Sequence, residues 1–161
     1  MKRLSKPTSL TMSSHSKTAE RRNPAAPDTS QRMSRTAQRD NSRERSLRKE
    51  LYRRGLRFRL QRKIEGSRRT IDIALTGAKI AVFVDGCFWH GCPEHGTWPK
   101  NNADWWRAKI ETNIRRDRDT NRRLAEAGWC VVRVWEHEDI TVAADRIEQK
   151  IRRLQSTKTR P

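Results

Sequence analysis

Residues Ile80–His95 read IAVFVDGCFWHGCPEH, and two signals meet in them. The first five, Ile80–Val84, are apolar and rich in β-branched side chains, and Asp85-Gly86 ends them with a turn. They predict a short buried strand. The loop that follows places Asp85, Cys87, Phe88, Trp89, His90, Cys92, Glu94 and His95 within eleven residues. Thiols, imidazoles and carboxylates crowd together in this way where a metal or a catalytic centre has to be built. Two adjacent aromatics stand in the middle of this polar loop, where no core claims them.

Just upstream, Thr70–Leu75 (TIDIAL) predicts a second strand. Ile71, Ile73 and Leu75 share one face, Asp72 and Ala74 the other. Gly77 lies in the short turn between the two strands, so they form an antiparallel hairpin, and Asp72 and Asp85 can converge. Phe58–Arg62 alternates and predicts a further strand. Before it, Asp40 or Asn41 is a good N-cap for a helix over residues 42–54 that ends ahead of Gly55. Leu47 and Leu51 form its apolar stripe, with Tyr52 at the margin. Glu44 falls on that inward face, either as a functional carboxylate or as the partner of Asn41 in a capping box, the reading that the residues alone favour.

Downstream, the spacing predicts a long helix over residues 104–127, stopped by Gly128. Ile110, Ile114 and Leu124 mark its core face, while Trp106, Lys109 and Asn113 line a second. Trp129–Trp135 (WCVVRVW) predicts a fourth strand, with Cys130 packed inside, and runs directly into Glu136-His137-Glu138. A last helix over residues 142–154 packs through Ala144, Ile147, Ile151 and Leu154. The order α-β-β-β-α-β-α argues for an α/β fold, a sandwich of helices flanking a central mixed β-sheet. Residues 31–155 should form that domain, with a disordered basic tail at 1–30 and a frayed tail at 156–161.

Lys and Arg number 37 against 19 Asp and Glu, a net charge of +18 over 161 residues. Such an excess points to a polyanion, most simply nucleic acid. The six tryptophans argue against a merely disordered basic chain. No apolar run is long enough to span a bilayer, and the N-terminus lacks a secretory apolar segment, so a cytoplasmic protein is expected. In a reducing compartment, Cys87 and Cys92 beside histidines favour a metal over a disulfide.

Two metals with different chemistry are implied. Cys87, Cys92 and His95, with His137 as a natural fourth ligand, suit tetrahedral Zn²⁺, and four protein ligands make a closed, structural site. His90 competes with His95 for that place; whichever is spare is a general-base candidate beside the aspartates. Asp72 and Asp85 are hard ligands suited to Mg²⁺, which needs few protein groups when a phosphate completes its shell. Phe88, Trp89 and Trp106 are either core or a wedge driven between base pairs.

The segment from Gln31 to Gln155 resembles the very-short-patch repair mismatch endonucleases, which nick DNA at T:G mismatches and form a branch of the PD-(D/E)XK nuclease fold. The resemblance rests on RMSRTAQRDNSRE at residues 32–44, on TIDIA, on VFVDGCFWHGCPEH, on Trp106, Asn113 and Arg116-Asp117, and on GWCVVRVWEH at residues 128–137. It implies that Asp72 and the main chain of Val84 bind Mg²⁺, that His90 acts on the attacking water, and that Glu44 supports the site. It assigns Cys87, Cys92, His95 and His137 to zinc, and Phe88, Trp89 and Trp106 to an aromatic wedge. Met33 would enter from the opposite groove, while Lys109 and Asn113 would read the mismatch edge. Its implied partners are duplex DNA carrying a T:G mismatch, a cytosine-5 DNA methyltransferase as functional neighbour, and host mismatch-repair factors. A monomer at the nucleoid is expected. The best-known members carry a His where this chain has Asp85, and a Cys where it has His137. The acidic-x-Lys signature of the wider superfamily is not visible. The rival readings are a restriction-type nuclease of the same fold and a non-catalytic zinc-containing DNA-binding protein.

Overall fold

The computed structural model describes residues 42–158. Met33, the basic stretch 1–30 and residues 159–161 lie outside that range. The hairpin forms as the alternation predicts: β2 (Thr70–Leu75) runs antiparallel to β3 (Ile80–Asp85), with Ile73 opposite Val82 and Leu75 opposite Ile80. β1 (Arg59–Lys63) pairs antiparallel with the outer side of β2, Arg59 facing Ala74 and Lys63 facing Thr70. β4 (Cys130–Trp135) lies parallel to β3, with Ile80 opposite Cys130 and Asp85 opposite Trp135. The sheet order is β1-β2-β3-β4. A parallel neighbour requires a crossover, and α2 (Ala103–Glu126) supplies it.

Strand alternation sorts the apolar residues onto two faces. On one, Ile73, Leu75, Ile80, Val82, Val132 and Val134 pack against Leu47 and Leu51 of α1 (residues 42–53) and against Ala143, Ala144, Ile147 and Ile151 of α3 (Ile140–Lys158). On the other, Ala74, Ala81 and Phe83 meet Leu124 of α2. The result is a helix–sheet–helix sandwich around a mixed sheet, as expected.

The local departures have physical causes. Tyr52 is 78% exposed, because one step beyond Leu51 turns a side chain about 100° away from the stripe. Ile71 leaves the face of Ile73 and Leu75 and packs with Ala74 and Phe83. The break in alternation lies beside Gln61 of β1, whose φ of 48° interrupts the pleat between the partners of Ile73 and Ile71. α3 starts at Ile140 rather than at residue 142, because Asp139 Oδ1 accepts from the amides of Thr141 and Val142 at 2.8 and 3.1 Å and caps it there. The helix also continues past the expected end at residue 154, to Lys158.

All five side chains of β1 are exposed, three of them the cations Arg59, Arg62 and Lys63. Arg62 lies over the ring of Trp129 at 5.1 Å. Among the described residues, no helix is long and apolar enough to cross a membrane.

Candidate active site and metal centre

Parallel pairing makes β3 and β4 end side by side, so the loops after Asp85 and Trp135 leave the sheet at one place. Glu136 fastens them together. Its amide donates to the Asp85 carbonyl at 3.0 Å, and its Oε1 accepts from the Cys87 amide at 2.9 Å. This brings Cys87 and Cys92 to His137, whose Nδ1 lies 3.1 and 3.7 Å from the two sulfurs. With His95 they form one set whose ligand atoms all lie within 4.8 Å of one another. A tetrahedral ion held about 2.3 Å from sulfur and about 2.0 Å from nitrogen spaces its ligands on this scale, so the donor set fits. Burial and then the neighbouring Cys92 push the Cys87 thiol up to about 12, the opposite of what a catalytic thiol needs. Such a pair is at rest as thiolates only with a cation between them. Outside the set, Glu94 Oε2 lies 3.5 Å from His137 Nε2, a carboxylate holding the far side of a ligand imidazole.

The two histidines of the loop lie on different sides of it. His95 joins the cysteines, while His90 turns to the other side, its Nδ1 2.6 Å from Asp117 Oδ2 and 3.6 Å from Asp85 Oδ1. Gly96 closes the metal loop by donating its amide to the Cys92 carbonyl at 2.9 Å, and a Cβ at Gly96 would collide with that same oxygen. We therefore expect Gly96→Ala to cost about 1–3 kcal/mol and to speed metal loss, measurable by melting and by release to a chelator.

His90 lines a cleft of about 490 Å³ together with Asp72, Val84, Asp85, Trp89 and Asp117. Asp72 projects from β2, and the Val84 amide donates to its Oδ2 at 3.1 Å. Burial raises the Asp72 carboxyl above its ordinary value and the charge of Asp85 adds to this, more than the Val84 amide and Gln61 offset. Among the described residues Asp72 forms no ion pair; its half-buried carboxylate lines the cleft, where the one charge that lowers it is the more distant Arg133, and its chemistry fits a hard divalent cation. Glu44, half-buried on α1 and 3.3 Å from Arg48, is raised by burial and then by the charge of Asp72. That places it near the cleft rather than only at a helix end.

Asp85, the second hard-ligand candidate, is already paired. It is 3% exposed, and both its oxygens lie 2.8 Å from Arg133 Nη1. For His90, burial lowers the imidazole, but the Asp117 hydrogen bond and the charges of Asp85 and Asp117 outweigh it and raise its pKa. Asp117 is itself lowered: burial raises it, and His90 and Arg133 overcome that. A carboxylate on Nδ1 leaves Nε2 for the cleft, the arrangement of an oriented base. Asp117→Asn should lower kcat for cleavage by about 10²-fold with little change in substrate affinity, because a neutral amide fixes neither tautomer nor charge; single-turnover kinetics would show it.

The loop aromatics form a cluster with α2. Ring centroids of Phe88 and Trp89 lie 5.1 Å apart, and those of Phe88 and Trp106 5.3 Å apart. Trp106 is buried and Trp105, packed edge-on against it at 4.7 Å, is 55% exposed. Gly91 sits under Ile110 and Ile114 with φ 64°, so a side chain here would be strained and would press on Ile114, and the turn lies close on α2. Asn113 donates from Nδ2 to the Trp89 carbonyl at 3.0 Å, and Lys109 is exposed on the same helix. Asp117 was visible in the sequence only within a motif. Arg133, Glu136 and Trp105 carried no local signal of their roles.

The family model described as DNA mismatch endonuclease Vsr matches residues 25–95. The type II nicking enzyme V.NaeI of Lentzea aerocolonigenes is 43% identical over 115 residues, covering 70% of this chain and 69% of that protein. The type II nicking enzyme V.XorIIP of Xanthomonas oryzae pv. oryzae is 40% identical over 114 residues, 69% of this chain and 79% of the relative. The DNA mismatch endonuclease Vsr of Escherichia coli is 35% identical over 111 residues, 66% and 68% of the two chains.

Proposed function

Because the chain belongs to the Vsr family of DNA endonucleases, we propose that it nicks one strand of duplex DNA at T:G mismatches left when 5-methylcytosine deaminates. The observation that carries this reading is the sharing of one loop by two devices. Phe88 and Trp89 belong to the aromatic cluster, and Trp89 and the adjacent His90 line the cleft that holds Asp72. A wedge that opens the duplex and a group that cleaves it are then neighbours in the chain. Opening a stack costs a few kcal/mol, least at a mismatched pair, which gives the wedge its preference.

In this mechanism Phe88 and Trp89 enter the stack, backed by the buried Trp106, with Lys109 and Asn113 near the displaced bases and Met33 approaching from the other groove. Asp72, held by the Val84 amide, would hold Mg²⁺, which would supply counter-charge to the phosphodiester oxygens. His90 accepts a proton from the attacking water at Nε2 while its Nδ1–H donates to the Asp117 carboxylate. Water oxygen bonds to phosphorus as the bond to the leaving sugar oxygen breaks, and that oxygen takes up a proton from solvent water in the open cleft. Glu44 adds negative charge beside Asp72. Cys87, Cys92, His95 and His137 hold Zn²⁺ and keep the loop in shape. A cytosine-5 DNA methyltransferase is the functional neighbour that makes the precursor base, host mismatch-repair factors act on the product, and the enzyme works as a monomer at the nucleoid.

The test is nicking of an end-labelled duplex with a single T:G pair, beside a matched duplex, with and without Mg²⁺. Nicking confined to the mismatch and to added Mg²⁺ supports the reading. Equal cutting of both duplexes would move the target to a restriction-type site. Tight binding without cleavage under any divalent ion would leave a binding protein.

A further inference from the structure

Arg133 occupies the middle of β4, where parallel pairing sets it opposite Phe83, and its guanidinium lies 5.0 Å over that ring. Each of its nitrogens has its own partner. Nη1 lies 2.8 Å from both oxygens of Asp85, Nη2 lies 3.2 Å from Asp117 Oδ1, and Nε donates to Asn121 Oδ1 at 3.1 Å. Among the described residues, no other arginine or lysine pairs with either carboxylate. Asp117 is consequently gripped from both sides, Oδ1 by Arg133 and Oδ2 by His90.

We propose that Arg133 is the positioning residue of the nicking site: it occupies Asp85, so that Asp72 is the carboxylate offered to the divalent cation, and it pins Asp117 against His90. This rests on the nicking reaction proposed above. Freed of Arg133, Asp85 would stand 3.6 Å from the same imidazole nitrogen that Asp117 holds, as a competing acceptor and as an extra negative charge in the cleft. A lysine retains the charge, but its single nitrogen cannot span three partners set at the angles of a guanidinium.

The experiment uses the full-length, zinc-loaded protein and Mn²⁺ alone as probe, followed by electron paramagnetic resonance, with kcat and KM for nicking the T:G duplex measured in parallel. Arg133→Met should bind Mn²⁺ about tenfold more tightly while kcat falls about 30-fold or more at nearly unchanged KM. Arg133→Lys should keep wild-type Mn²⁺ affinity yet recover little of kcat. The double variant Arg133→Met/Asp85→Asn leaves no unpaired charge at Asp85, so it should return Mn²⁺ affinity to the wild-type value without restoring kcat. A residue that merely stabilises the fold would lower Mn²⁺ binding and kcat together with Tm. Wild-type kcat in Arg133→Lys, or Mn²⁺ affinity and kcat both within about twofold of wild type in Arg133→Met, would overturn the assignment. If Arg133→Met does not fold, the double variant decides, and full kcat there overturns it. A wild-type protein that nicks no duplex sinks the proposed function instead, while the Mn²⁺ titrations still read the role of Arg133 at Asp85.

Discussion

Asp72→Asn is expected to abolish nicking, by about 10³-fold or more, in a protein that stays folded and still binds DNA. The amide has nearly the shape of the carboxylate, and its oxygen can still accept from the Val84 amide that holds Asp72 Oδ2 at 3.1 Å. It removes only the charge that a hard cation requires. The same substitution has a second signature. Burial raises the Asp72 carboxyl, so the folded chain holds that proton more tightly than the unfolded chain does. Stability from this group therefore falls as pH climbs from the ordinary carboxylate range through the raised value, and at neutral pH the half-buried charge is a cost. Without added Mg²⁺, the zinc-loaded variant should melt at or above the wild-type temperature and show a flatter dependence on pH. Calorimetry across pH beside nicking assays would measure both. Normal nicking by Asp72→Asn would remove Asp72 from the centre.

Cys87→Ser should give the largest loss of stability. The set of Cys87, Cys92, His95 and His137 that could hold a metal joins the loop after β3 to the end of β4, and Cys87 is buried in it at 3.1 Å from His137. Serine is a poor ligand at neutral pH, so zinc content and melting temperature should fall together, by several kcal/mol or roughly 10 °C for a domain of this size. Phe88, Trp89 and His90 sit on that loop, so nicking should fall as well. Full zinc at an unchanged melting temperature would refute the structural role.

What could be read from the chain was what depends on neighbours in sequence. The hairpin is visible because alternation in TIDIAL and the apolar run Ile80–Val84 are local, and the ligands Cys87, Cys92 and His95 announce themselves by proximity. Even there Ile71 changed faces, beside the interruption at Gln61 on the neighbouring strand. The wiring of the cleft was illegible for a stronger reason. Arg133 meets Asp85 across 48 residues and His90 meets Asp117 across 27, and only the parallel register of β3 with β4 and the crossover of α2 bring them together. Nothing in the spacing of Arg133 separates it from the other cations of a very basic chain. The pairing also explains why Asp85 looked like a metal ligand: a strand-terminal aspartate beside a turn gives no sign of a distant guanidinium.

One edge of the sheet carries a further consequence. Among the described residues β1, like β4 at the other edge, has a single strand neighbour, and a strand edge invites a second molecule to continue the ladder into an aggregate. Here Arg59, Arg62 and Lys63 would meet their own copies across any such junction, and the left-handed turn of Gln61 spoils the straight edge that stacking needs. The charge that draws the protein to DNA thus also keeps it colloidally stable when no DNA is present. Substitutions that neutralise β1 to weaken non-specific binding would carry a risk of precipitation.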